Sequence, residues 1–292
     1  MTPTNRETRS EVSEIAMDES HQVSGFADVD RSAHPERLVD YLNVVSALDQ
    51  AQTYKRRAFA LLDLHEGDHV LDVGCGTGDD LRALAPLVGP SGRVVGLDRS
   101  AQMIATARQR CDDLQRTIRL RLGDAQRLPF PDGSFDACRA DRVLQHLDDP
   151  ARALAEMVRV ARPNARVVIS EPDWGTLVLD APNPPVTRRL LQVHDQRIPQ
   201  PWIGRRLPAL FRNAGLGNVQ VIGQTAVFER FAVADVVLRL RETAQQACAE
   251  GIVSTDDAAQ WLAGLDSADQ AQCFFAACTI FTIRGFKEGV GR

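Results

Sequence analysis

The sequence predicts an α/β protein built on an open, doubly wound parallel sheet, and three observations predict it. Strand-length apolar runs alternate with helix-length amphipathic runs from Asp68 to Ser170, the rhythm of a sheet with helices on both faces. The run Val70-Leu71-Asp72-Val73 ends in Gly74-Cys75-Gly76-Thr77-Gly78, where glycines let the backbone turn sharply and approach a ligand closely. The next strand, Val94-Val95-Gly96-Leu97, ends in Asp98, an acid placed to accept hydrogen bonds from both hydroxyls of a ribose.

The elements follow in order. Residues 1–24 are rich in Thr, Ser, Glu and Arg with few apolar anchors and read as a mobile tail. Between Pro35 and Leu64, apolar positions at Leu38, Leu42, Val45, Leu48, Phe59 and Leu62 fall near helical spacing, giving two helices that would close over the strand ends. Strands are predicted at Asp68–Val73, Arg93–Leu97, Ile118–Leu122, Phe135–Ala140 and Arg166–Ser170, with helices at Gly78–Leu87, Ser100–Asp113 and Pro150–Ala161. Ser100 is an N-cap candidate and Pro150 sits where a first-turn proline is tolerated. In Arg162-Pro163-Asn164-Ala165, Asn164 can supply a left-handed turn residue, with some strain falling on Ala165. The rhythm then breaks. Residues 174–201 hold five prolines around an amphipathic piece, Val186–His194, too long and apolar for a plain connector. A helix at Gly204–Ala214, a strand at Val219–Arg230, helical periodicity over Ala234–Ala249 and Asp256–Leu265, and a last strand at Phe274–Phe286 complete the chain.

Composition narrows the function classes. A chain of 292 residues can hold one large α/β domain with insertions. A formal charge of -5 gives no basic footprint for nucleic acid. The six cysteines form no C-x-x-C pair and no histidines stand at zinc spacing, so neither a metal site nor a disulfide framework is indicated. With no run near the ~20 apolar residues of a membrane span, the reading is a soluble cytoplasmic protein.

The spacing of the glycines selects the ligand. A dinucleotide fingerprint is G-x-G-x-x-G, whereas here Gly74-x-Gly76-x-Gly78 follows Asp72. That acid would repel a pyrophosphate, yet it suits a ligand ammonium, while a ligand carboxylate takes the helix N-terminus. S-adenosylmethionine (SAM) carries both groups and a ribose. On these residues the chain resembles the class I SAM-dependent methyltransferases, in particular the small-molecule enzymes similar to those of ubiquinone and menaquinone biosynthesis. The resemblance spans roughly Tyr54 to Gly215. It implies a Rossmann-like seven-stranded sheet of order 3-2-1-4-5-7-6 with the last strand antiparallel, in a domain of residues 25–292. Lid helices at 35–64 and cap insertions at 174–201 and 232–270 would cover it.

The resemblance also distributes roles. Gly74, Gly76 and Gly78 would line the methionine end of SAM, with Asp72 on its ammonium directly or through water. Asp98 would hold the ribose beside Arg99, and Met103 would lie on the adenine face or simply pack. Gly123-Asp124-Ala125 would read the adenine edge, Asp124 accepting from the amino group unless it merely caps a turn, and Asp141 would complete the cofactor set. Methyl transfer from a sulfonium is an in-line displacement on an already activated electrophile, so the protein mainly positions reactants. His146 is the candidate base or acceptor-orienting group, because imidazole titrates near neutrality, with Glu171 to orient it or the acceptor; the alternative is that the histidine only pins its loop. Tyr41, Tyr54 and Trp174 are candidate acceptor contacts. Asn183-Pro184-Pro185 resembles the target-nitrogen motif of nucleic-acid amino methyltransferases, but it follows the fifth strand rather than the fourth and reads as a turn. The partner is then a small molecule, with S-adenosylhomocysteine (SAH) as product, and a homodimer is left open. Two alternatives stand: a SAM-binding protein running a non-methylating reaction, and a nicotinamide-dependent oxidoreductase. The latter is weakened by the glycine spacing and by the lack of a Tyr-x-x-x-Lys pair, the only lysines being Lys55 and Lys287.

Overall fold

The fold is that of a computed structural model describing residues 29–31 and 35–289. The predicted tail at 1–24 lies outside them. Two helices open the described chain, α1 (Pro35–Ala47) and α2 (Asp49–Leu62). The sheet half follows as β1 (His69–Val73), α3 (Asp79–Val88), β2 (Arg93–Asp98), α4 (Ala101–Arg110), β3 (Ile118–Leu122), β4 (Phe135–Asp141), α5 (Pro150–Val160) and β5 (Ala161–Leu179). Then come α6 (Pro184–Gln196), α7 (Ile203–Asn213), β6 (Leu216–Phe228), α8 (Phe231–Leu238), α9 (Leu240–Ala249), α10 (Thr255–Gln270) and β7 (Ala276–Lys287).

The seven strands form one sheet in the order β3-β2-β1-β4-β5-β7-β6. Strands β1 to β5 pair in parallel, and β7 runs antiparallel between β5 and β6. Alternation along β1 explains the two layers: Leu71 and Val73 pack with Leu154 and Met157 of α5 and Leu207 and Phe211 of α7, while Val70 packs with Leu62 of α2 and Leu81 and Leu84 of α3. A separate apolar cluster joins α6, α8, α9 and α10 around the fully buried Trp261. Its indole Nε1 donates to Thr187 Oγ1 at 2.9 Å.

Local chemistry sets the helix starts. Ser100 Oγ accepts from the Met103 amide at 3.1 Å and Asp149 from Arg152 at 3.0 Å, with Pro150 in the first turn. Asn183 likewise accepts from the Val186 amide. The segment Asn183-Pro184-Pro185 is thus the start of a helix. Asn164 adopts φ 66°, and Ala165 does not share the left-handed conformation, so the strain expected there is absent.

Two predicted boundaries move. β5 continues past Ser170 to Leu179, so residues 174–179 of the expected cap insertion belong to the sheet and only the chain beyond them leaves it. Beyond the Asp141–Ser170 pairing β5 has β7 alone as a partner, which leaves one edge where Pro172 costs no ladder bond. The register shifts between Asp173 and Val178, and such an irregularity re-aims side chains. The helical stretch predicted over Ala234–Ala249 is two helices, broken at Arg239, which adopts φ 52°.

Candidate active site

A cavity of about 180 Å³ opens at the carboxyl ends of the parallel strands, where ligands bind in open α/β sheets. Its first wall is main chain. The turn after β1 uses Gly74 at φ 71° and Gly76 at φ 51°. A Cβ on Gly74 would stand 2.3 Å from Val143 Cγ2, closer than any side chain can come. The amides of Gly74 and Cys75 donate to the Leu97 carbonyl at 2.7 and 3.0 Å, which ties the turn to the end of β2. Asp98 continues the tie, accepting from the Gly76 amide and the Ser100 amide, each at 2.9 Å. A carboxylate offers about four lone-pair sites, so Asp98 keeps acceptor capacity for two hydroxyls.

Of the predicted cofactor residues, Gly74, Gly76, Asp98, Arg99, Met103, Gly123, Asp124, Ala125 and Asp141 line this cavity. Met103 also packs on Val29 and Leu38, so cavity wall and core packing are one role. Asp124 accepts from the Gln126 amide at 2.9 Å, turning the chain after β3.

Two predicted positions are not on the cavity wall. Gly78 supports the turn from behind, its missing Cβ leaving room for Ala107 and Cys111. Asp72 is buried and turned the other way: its Oδ1 accepts from Arg139 Nη1 at 2.9 Å, and its Oδ2 has no partner among the described residues. The same guanidinium reaches Asp80 at 2.9 Å and Asp141 at 3.6 Å, and Lys55 of α2 meets Asp80 at 2.9 Å and Asp141 at 3.5 Å. Burial pushes the Asp72 carboxyl up to about 7, Arg139 pulls it down, and Asp80 and Asp141 add to the rise. The α3 N-terminus, where a ligand carboxylate is expected, carries its own acids: Asp79 meets Arg110 at 2.9 Å and Asp80 the Lys55–Arg139 pair. Carboxylates in a first helical turn already satisfy the helix dipole.

The second wall is side chain. The loop after β4 begins with Arg142 at φ 56°, an uncommon backbone state for a bulky residue. The loop is held by Glu171 at the end of the parallel stretch of β5. Glu171 Oε1 accepts from the amides of Val143 and Leu144 at 2.7 and 2.6 Å, while Oε2 has no partner among the described residues. Fully buried, this carboxyl is pushed up to about 8 by desolvation. The expected Glu171–His146 pair is therefore not formed; the acid sits beneath the loop that carries His146 and does not line the cavity. His146 does line it, and burial, with the Arg142 charge, lowers its imidazole to about 4. It is neutral at physiological pH.

Around it stand Tyr41, Gln145, Trp174, His194, Arg197 and Arg239. Trp174 Nε1 donates to Gln145 Oε1 at 2.8 Å, and its ring meets His194 edge-on with centroids 5.0 Å apart. Arg197 and Arg239 share Glu242, and Arg239 also lies 5.6 Å from the Tyr41 ring. Tyr54 faces a neighbouring cavity instead, its hydroxyl donating to Asp141 at 3.1 Å. Sequence reasoning missed Gln145, His194, Arg197 and Arg239, which come from three separate segments: the loop after β4, the end of α6 and the α8–α9 break. It also missed the Lys55–Arg139 cluster, whose signal was a lone arginine inside the apolar strand Phe135–Asp141.

A glycine turn tied to an acid at the end of the second strand, on a sheet of this order, defines a nucleoside-binding α/β protein. The comparisons make it particular. Residues 71–169 match the family model described as a methyltransferase domain. A 37.1 kDa protein in transposon TN4556 of Streptomyces fradiae is 39% identical over 272 residues, covering 92% of this chain and 77% of that protein. The demethylmenaquinone methyltransferase of Lactobacillus johnsonii is 39% identical over 134 residues, or 45% of this chain, which spans 55% of that protein's length. The structure of YcgJ from Bacillus subtilis aligns with a TM-score of 0.57 at 19% identity, covering 82% of this chain and 99% of that one, and speaks for the fold. Residues 71–169 form a methyltransferase domain, and SAM is its cofactor. The nicotinamide reading is set aside.

The chemistry of the cavity wall fits that cofactor. Asp98 keeps acceptor capacity beside its two amide bonds, and Asp124 and Ala125 line the same cavity. The predicted cofactor residues that are not on this wall are Gly78 and Asp72, the latter buried with its Oδ1 held by Arg139. When bound, SAM supplies the activated methyl group.

Proposed function

We propose that this chain transfers the SAM methyl group to a small molecule held under its cap helices. One observation carries the reading. The cavity that begins at the glycine turn runs on beneath α6 and α8, and shares Tyr41, Arg142, Gln145, Trp174, Val237 and Leu238 with a second, apolar cavity of about 70 Å³. Enclosed, largely apolar spaces with few polar groups are how proteins take small ligands, whereas a macromolecular acceptor needs an open groove.

In this reading Asp98 and Asp124 hold the two ends of the adenosine and Gly74 and Gly76 let the methionine end approach. Asp141, which lines the cavity where Asp72 does not, serves the ammonium with the acceptor capacity its carboxylate keeps beside Tyr54, Lys55 and Arg139. Trp174 and Tyr41 flank the acceptor. His146, neutral at working pH, accepts a hydrogen bond from the acceptor and orients it, and Glu171 is a positioning residue beneath the loop. The helices α1 and α2 act as the lid.

Incubating the protein with SAM and a panel of small metabolites, and measuring SAH release, tests this. Release with at least one small acceptor is expected. Release only with a protein or nucleic acid would overturn the small-molecule reading, and tight SAH binding without release from any acceptor would favour a non-methylating reaction.

A further inference from the structure

Seven non-glycine residues among the described ones have positive φ. Five are Asp, Asn or Gln, and the other two are Arg142 and Arg239, which both line the main cavity. Left-handed backbone at a bulky residue is uncommon and collects at functional sites.

Their circumstances differ. Arg239 is paired with Glu242 at 3.0 Å, and Arg197 turns to the same carboxylate. Among the described residues Arg142 makes no direct ion pair of that kind. Its Nε is sealed from solvent without an acceptor among the described residues. The adjacent Asp141 gives its carboxylate to Tyr54, Lys55 and Arg139. The Arg142 charge is favoured by the nearby Asp141 and Asp80 carboxylates, so what is left unmet is its Nε donor, which a bound oxyanion would satisfy.

Arg142 also stands at the neck between the two cavities and lines both. In the second cavity it is the single charged residue among the described ones; Val45, Leu48, Phe228, Leu238 and Ile280 make much of the rest. Its pose is built in. The Arg142 amide donates to the Ser170 carbonyl at 2.8 Å, and Glu171 fixes the next two amides.

We propose that Arg142 is the specificity determinant for the acceptor, which is an apolar molecule carrying one oxyanion, a carboxylate or an ionised phenol or enol. The oxyanion sits on the Arg142 guanidinium at the neck and the apolar body fills the second cavity. The proposal rests on the small-molecule reading above. It also competes with one other use of the same cation, the carboxylate of the cofactor's methionine end.

The test is calorimetry on the SAH-saturated protein with benzoate and its neutral isostere benzamide as probes, alongside SAH titration of the free protein. Wild-type protein should bind benzoate about 10-fold or more tightly than benzamide, since a hydrogen bond to a charged group is worth ~1.5–3 kcal/mol. R142Q should erase that preference and leave SAH affinity within about 2-fold, the charge acting locally; R142K should restore part of the preference. Equal binding of the two probes by wild type overturns the proposal, a result that needs no variant to fold. Loss of SAH affinity by about 10-fold or more in R142Q overturns it too, because the guanidinium then serves the cofactor carboxylate. The assay reads binding alone, so its outcome is separate from that of the SAH-release assay.

Discussion

The two walls of the active-site cavity are made in different ways. On the cofactor side, β1 and β2 end within one short turn, and the geometry is set by main-chain amides, two left-handed glycines and one carboxylate. On the acceptor side, side chains arrive from α1, the loop after β4, β5, α6 and the α8–α9 break. The first wall depends on backbone conformation, which few residue types permit. The second depends on which side chains dispersed segments present. A cofactor common to many enzymes suits the first construction, and an acceptor particular to one enzyme suits the second.

What joins the walls is the buried cluster of Lys55, Asp72, Asp80, Arg139 and Asp141, and breaking it should give the largest effect. Arg139→Met leaves Asp72 and Asp80 buried beside one remaining cation, and removing one partner of a buried pair costs about 3–5 kcal/mol. Denaturant unfolding should show a loss of that order, and an Asp72→Asn partner change should recover part of it. A loss below ~1 kcal/mol, the range of exposed pairs, would mean the cluster does not hold the walls together.

His146 tests whether the walls act separately. His146→Ala should lower turnover about 10- to 100-fold, the lower part of the range for a proton-handling side chain, with SAH affinity unchanged. Because burial and Arg142 hold the imidazole at about 4, the wild-type rate should stay level as pH falls through 6 and drop only near 4. The sign follows from the neutral form being the working one: protonation removes the acceptor lone pair. A fall centred near 6.5 would show an ordinary, exposed imidazole.

The smallest effect belongs to α2. Tyr54→Phe removes the bond from α2 to Asp141 and should cost about 0.5–1.5 kcal/mol, read as faster amide exchange in α2 with little change elsewhere. Uniform exchange across the chain would place Tyr54 in the global core instead.

The same division explains what the sequence made legible. The turn after β1, Asp98 and the parallel strands are local patterns of glycine, acid and apolar runs, so the predicted strands and the cofactor-side residues fall where the pattern puts them, and the sheet order follows the family resemblance. Gly78 and Asp72 are the exceptions, and for Asp72 the direction depends on Arg139, two strand positions before the end of β4 and invisible until the β1–β4 register aligns the two. The extension of β5 was hidden by Pro172, Asp173 and Gly175, which read as breakers although a one-sided edge tolerates them. The break at Arg239 was hidden because arginine gives no sign of left-handed backbone. Glu171 stands where the parallel stretch of β5 ends, yet a strand position does not say that the two nearest amides would claim its carboxylate before His146 could.

The most direct test of the cofactor wall is calorimetric titration of SAH into wild type and Asp98→Ala. With two charge-assisted hydrogen bonds to the ligand lost at ~1.5–3 kcal/mol each, SAH affinity should fall by at least about 10-fold in a variant that still folds, its stability lowered by about 1–3 kcal/mol because the Gly76 and Ser100 amides lose their acceptor. Unchanged affinity in a folded Asp98→Ala variant would contradict the assignment of this wall to the cofactor's ribose.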